Sequence, residues 1–164
     1  MMPRGDDMND PPTDEKLVVL TLELQGEMFA IAAAQVHEIL DPVPVTEVPG
    51  AATAVGGLIN VRGRIVPLAD PSRILGMPNA AAGIDARFVV LEVDIDGDPV
   101  AVAIRADKVH EVTELAGADI EATPRLGVRW PPAFIHCIGK HRGGFITVLD
   151  LDRVFAAVGA SVAA

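Results

Sequence analysis

The chain carries one pattern twice, and this duplication limits its fold more than any other feature. "RGRIVPLADPSRIL", beginning at Arg62, aligns with "RGGFITVLDLDRVF", beginning at Arg142; Arg142 falls on Arg62 and Asp150 on Asp70 with no gap between them. Upstream, "AQVHEIL" is echoed by "DKVHEVTEL", so that Val109, His110 and Glu111 overlay Val36, His37 and Glu38. The segments ahead of these also match: "LVVLTLEL", a "QGE" turn and "MFAIA" correspond to "RFVVLEVDIDGDPVAVAI", each reading strand, glycine-containing turn, strand. A unit rich in short strands and used twice implies two similar small β-subdomains, each capped by a short helix and related by a pseudo-twofold.

Local signals place the elements within each copy. "AAAQVHEIL" reads as a helical turn leading into a strand that Asp41-Pro42 ends, and the Pro- and Gly-interrupted run from Asp41 to Gly57 reads as a loop. "LINV" and "RIVPLA" read as two strands joined at Arg62-Gly63, with the glycine supplying the positive φ of a tight connection. Asp70 is placed to cap a short helix, with Pro71 at its first position and Gly76 as its stop. A small, turn-rich linker near residues 77–86 separates the copies, and the stretch "ELAGADIEATPRLGVRWPPA" in the second is loop-like. Residues 1–16, "MMPRGDDMNDPPTDEK", read as a disordered acidic leader with no apolar core of a secretory signal; residues 159–164 form a C-terminal tail.

Charge and composition narrow the function. Half of the 164 residues are hydrophobic, ample for a packed interior. The longest apolar stretches fall short of the roughly 18 residues a membrane-spanning helix needs, so a cytoplasmic protein without membrane insertion is expected. A net charge of -10 disfavours nucleic acid and anionic membranes, which need a basic face. With one Trp and no Tyr the chain lacks the stacking platforms of single-strand binders. The lone Cys137 forms no internal disulfide, in keeping with a reducing compartment.

Catalytic patterns are missing from the sequence. "HEILD" and "HEVTE" lack the second histidine, four residues on, that a zincin helix uses to present two imidazoles on one face. Ser72 and Ser161 are the only serines and neither sits in a G-x-S-x-G elbow; the glycines form no phosphate-cradling loop. Phospho-accepting histidines stand on long helices, whereas these surroundings are short and β-rich. His136, Cys137 and His141 in "FIHCIGKH" leave one rival reading, a small metal or thiol protein. Against it, structural zinc takes four ligands and a cysteine in an apolar run behaves as a small hydrophobe. The chain is expected to be no enzyme and to need no cofactor.

Arg62 is open to two readings, a solvated turn residue or an anchor in a protein interface, where arginine beside apolar β surface is favoured. "VHEIL", the loop ending "VPG", "VGGLINVRGRIVPLAD" and the second-copy "GGFITVLDLDRVF" together resemble the CheW-like adaptors of bacterial chemotaxis, over about residues 17–158. The most specific element is G-x-x-N-x-R-G-x-(I/V)-(I/V)-P from Gly57 to Pro67; Pro71 replaces the more usual apolar residue after the aspartate. The resemblance implies a non-enzymatic scaffold of two intertwined, five-stranded, SH3-like β-barrels about a shared core. It further implies that the scaffold links chemoreceptor cytoplasmic tips to the regulatory domain of the histidine kinase CheA, with other CheW-like proteins as partners in array rings. Carried over by position, Val36, Glu38, Gly57, Asn60 and Arg62 would form the receptor-facing groove of the first subdomain. Related adaptors serve non-flagellar chemosensory arrays.

Overall fold

A computed structural model describes residues 16–48, 55–77, 83–117, 120–121 and 130–162. The expected leader, apart from Lys16, and the middle of the linker lie outside these residues, as does much of the divergent second-copy loop. The first copy forms β1 (Lys16–Leu24), β2 (Glu27–Ala32), a 3-10 turn over Ala33–Gln35, and β3 (Val36–Leu40); β4 (Val55–Val61), β5 (Arg64–Ala69) and the one-turn helix α1 (Pro71–Ile74) follow. The second forms β6 (Arg87–Ile95), β7 (Asp98–Ala106), β8 (Lys108–Ala116), the two-residue β9 (Ile120–Glu121), β10 (Ile135–His141), β11 (Gly144–Leu149) and α2 (Leu151–Val162). Asp70 caps α1 as its sequence predicts: Oδ1 accepts the Ser72 N–H at 3.0 Å, Pro71 stands in the first turn, and Gly76 follows with φ +81°. The second copy has no such glycine stop, and α2 continues through Val162, into the stretch expected as a tail.

The duplication does not map onto the two sheets half for half. One sheet runs β8-β1-β2-β11-β10-β9 and the other β3-β6-β7-β5-β4, so each copy lends its first hairpin to the other copy's remaining strands. The lent hairpins join in parallel, Phe29 beside Thr147 and Leu68 beside Ala103, whereas the other neighbours are antiparallel. The architecture is mainly β with few short helices, as expected; β9 adds a two-residue sixth strand to one of the five-stranded sheets. We call the sheet containing β3, β4 and β5 the first barrel and the sheet containing β10 and β11 the second.

Each ring of strands is closed by the chain that follows its third strand. In the first, Thr46 and Leu58 exchange two backbone hydrogen bonds of 2.8 Å; in the second, Ile120 and Glu121 pair with Gly139 and Ile138. Three cores result. Val19, Ala30, Leu115, Cys137, Ile146 and Val148 fill the second barrel, and Ile59, Val66, Leu68, Phe88, Val90 and Ala103 the first. Between them Leu20, Leu22, Phe29, Ile31, Leu91, Ile104 and Phe155 belong to a larger shared cluster. The lent hairpins therefore face a barrel interior on one side and the shared core on the other. This is why "LVVLTLEL" and "FVVLEV" read as near-continuous apolar runs instead of alternating. Burying each large side chain there contributes about 1.5–3 kcal/mol.

Polar pins hold the copies in register. Asp152 Oδ1, in the first turn of α2, accepts from Gln35 Nε2 at 3.0 Å and from the Asp94 N–H at 2.9 Å. Asp107 Oδ2 accepts the Gln25 N–H at 2.6 Å.

Candidate functional site

Four two-residue turns, Gln25-Gly26, Arg62-Gly63, Asp96-Gly97 and Arg142-Gly143, share one geometry, with φ of +52° to +54° at the first residue and +80° to +87° at the glycine. Both central residues are left-handed, as a type I′ hairpin requires, so the glycine does not carry the strain alone as the sequence suggests. Any residue but glycine pays about 1–2 kcal/mol at the first place, Gln25 and Asp96 as well as the two arginines. The turn geometry therefore gives no reason for arginine, and its use must be sought in what the guanidinium touches. Asn60 braces the first of these turns: its Oδ1 accepts the Gly63 N–H at 2.8 Å, as Asp94 Oδ1 does for Gly97.

Arg62 reaches across the barrel end to β3, where Nη1 lies 3.0 Å from Glu38 Oε2. The arginine side chain is 80% exposed and the glutamate only 19%. Glu38 Oε1 is buried and has no hydrogen-bond partner among the described residues. On the strands that carry the pair and its turn, Ile65 is 64% exposed on β5 and Ile39 43% exposed on β3. Strand alternation explains Ile65: Val66 and Leu68 point into the barrel, so the residue before them points out.

The other two candidates have different surroundings. Val36 is partly buried and packs against the shared core. Gly57 adopts φ +146° directly beneath the closing strand, where an added Cβ would lie 2.4 Å from Thr46 O and 2.7 Å from Val45 Cγ1. The structure thus gathers Glu38, Asn60 and Arg62 at one barrel end, gives Gly57 a task in closing that barrel, and turns Val36 toward the interior.

The second barrel repeats the pair with tighter geometry. Arg142 Nη2 donates to Glu111 Oε1 and Oε2 at 2.8 and 2.9 Å. Buried Thr21 fixes the Glu111 backbone at a bulge, donating to its C=O at 3.0 Å and accepting its N–H at 3.1 Å. His141 Nε2 stands 3.8 Å from Glu111 and His110 Nε2 2.5 Å from Glu23 Oε2. A cavity of about 360 Å³ opens over this cluster, floored by Met28 and Ile146 and edged by Phe145, which is 68% exposed. Lys140 stands where the first barrel has Asn60, and Cys137 where it has Gly57.

The thiol-or-metal constellation does not assemble. Cys137 points into the second barrel's core, where burial pushes its thiol above the usual range. Exposed His136 faces the other side of the strand, and His141 lies at the strand's end, about 13 Å along the chain from Cys137. Among the described residues no group of three His, Cys, Asp or Glu side chains could hold a metal ion, and no helix is long and apolar enough to cross a membrane.

Comparison with known proteins matches these features to one lineage. A family model described as the CheW-like domain matches residues 18–159. The chain is 28% identical over 137 residues to the chemotaxis protein CheW of Rhizobium meliloti (strain 1021), covering 84% of this chain and 86% of that one. It is 34% identical to protein PilI of Pseudomonas aeruginosa over a shorter stretch of 67 residues, 41% of this chain and 38% of that protein. Among solved structures, the scaffolding protein TtCheW from Thermoanaerobacter tengcongensis superposes with a TM-score of 0.76 at 26% identity, over 86% of this chain and 88% of that one.

Proposed function

The chain belongs to the CheW-like family of chemotaxis scaffolds, and from that premise we propose that it is a non-enzymatic cytoplasmic adaptor coupling chemoreceptor cytoplasmic tips to the regulatory domain of the histidine kinase CheA. The observation that carries this reading is the exposed Arg62, kept in a left-handed turn and paired with Glu38 of β3, on a barrel whose strands also expose Ile39 and Ile65. A largely exposed guanidinium on a barrel that also exposes apolar side chains has the make-up of an interface anchor. In this reading Glu38, Asn60 and Arg62 form the receptor-facing edge of the first barrel, and Gly57 and Val36 support it from behind. Other CheW-like proteins are its neighbours in array rings, and recruitment to receptors brings the protein to the membrane without insertion.

The test is autophosphorylation of CheA in receptor-containing membranes from the same organism, with the wild-type chain, without it, and with Arg62→Ala. Activity and its control by ligand should require the chain, and the variant should couple about tenfold less well while melting normally. Kinase activity indifferent to the chain would remove the reading. A second reading, service in a related non-flagellar array, is favoured by the match to PilI, a relative of a different name. It predicts that receptors of a second array, and not those of the flagellar one, respond to the chain.

A further inference from the structure

The two Arg–Glu pairs sit at equivalent places but are filled differently. In the second barrel both carboxylate oxygens of Glu111 receive an N–H from Arg142. In the first barrel Arg62 engages Oε2 alone, and Oε1 of Glu38 is buried without a donor among the described residues. A buried carboxylate oxygen left without a donor destabilises the free state, whereas a donor that arrives with a partner removes that penalty on binding.

We propose that the first-barrel site recognises a side-chain carboxamide, an asparagine or glutamine, on the partner that docks there. This rests on the receptor-facing reading given above. The carboxamide oxygen accepts an N–H from the exposed fork of Arg62, and the carboxamide N–H donates to Glu38. An ammonium or guanidinium is a worse fit, because Arg62 already neutralises Glu38 and a second cation would stand against the first. A carboxylate could satisfy Arg62 but would bring another acceptor to Glu38 where a donor is wanted. The planar amide offers one acceptor and one donor on neighbouring atoms of one rigid plane without charge, whereas a hydroxyl has to serve both partners from a single oxygen. Entry requires the Arg62 side chain, 80% exposed, to shift only far enough to admit the amide N–H while its fork stays beside Glu38.

The experiment uses the full chain and a soluble cytoplasmic hairpin fragment of a chemoreceptor encoded in the same genome, with affinities measured by calorimetry. Glu38→Gln keeps the volume but removes the charge and one acceptor; it should weaken binding about tenfold to a hundredfold. Glu111→Gln makes the same change in the second barrel and should alter binding less than about twofold. Each Asn and Gln of the hairpin is then changed to Leu. One of them should lose a similar factor with the wild-type chain and lose nothing further with Glu38→Gln. Hairpin substitutions leave this chain untouched, so the result does not depend on how well Glu38→Gln folds. If the wild-type chain binds the hairpin but no carboxamide couples to Glu38, the inference is overturned. If the wild-type chain does not bind the hairpin at all, the receptor-facing reading beneath it fails instead.

Discussion

The two barrels solve the same closure problem with opposite choices of where to be small. The first leaves out a side chain at Gly57, where the closing strand crosses with Thr46 O only 2.4 Å from a notional Cβ, and fills the position two residues on with buried Ile59. The second puts Cys137 at the place of Gly57 and leaves the gap at Gly139, where the nearest atom is Leu115 Cδ1 at 2.8 Å. One gap admits backbone and the other the end of a flexible side chain. The same barrel end therefore differs in what it can absorb, and the rigid seam lies in the barrel whose Arg–Glu pair is incompletely filled.

Substitutions at the two gaps should separate the barrels most widely. Gly57→Val meets backbone at a φ that only glycine adopts freely, and should lower stability by about 3–5 kcal/mol in urea unfolding, or prevent folding. Gly139→Ala has only Leu115 to displace and should lower it by about 1–2 kcal/mol; equal losses would show that the seams are equivalent after all. Replacing the turn arginines sharpens the contrast in function. Arg62→Gly and Arg142→Gly should each stay within about 1 kcal/mol of the wild type, because relief of left-handed strain offsets the lost ion pair and the looser unfolded chain. Only the first should lose receptor coupling, and matched losses would make both barrel ends docking sites.

The smallest expected effect concerns Cys137. Its thiol is raised by burial, so the folded state favours the protonated form; the associated stability is full below the ordinary thiol range and is lost as pH rises through the folded value. Cys137→Ala should flatten the alkaline decline in melting temperature, and alkylation of the native thiol should track unfolding. Rapid alkylation of the folded protein would instead open the second barrel's core to solvent.

What the sequence discloses are the features one short stretch decides for itself. Asp70-Pro71 declares a helix start, each X-Gly pair a two-residue turn, and the repeated "VHE" a strand in each copy, because the groups that make these features are neighbours along the chain. The exchange of hairpins is not legible in the residues themselves, and only the resemblance implies that the barrels intertwine. A run such as "LVVLTLEL" reveals that a strand is covered on both faces, but Phe29 pairing beside Thr147 is a choice among strands of similar pattern. At the site, Glu38 and Arg62 follow from the resemblance, while the task of Gly57 depends on Thr46 crossing above it. The outward Ile65 was open to reading from alternation with Val66 and Leu68, and Phe145 from the same rule in the second copy.

The exchange of hairpins also orders events in time. As the chain is synthesised, β1 and β2 emerge first and pair with each other, yet the strand that parallels β2 is β11, near the far end. The first hairpin therefore waits, its barrel-facing side uncovered, until β10 and β11 of the second copy have been made. The first barrel is complete sooner, once β6 and β7 have arrived to lie beside β3 and β5. Pairing over so long a sequence separation as that of β2 and β11 favours slow folding. A chain stopped short of β10 would hold every strand of the first barrel and a hairpin without its partners, the condition that favours exchange of strands between copies.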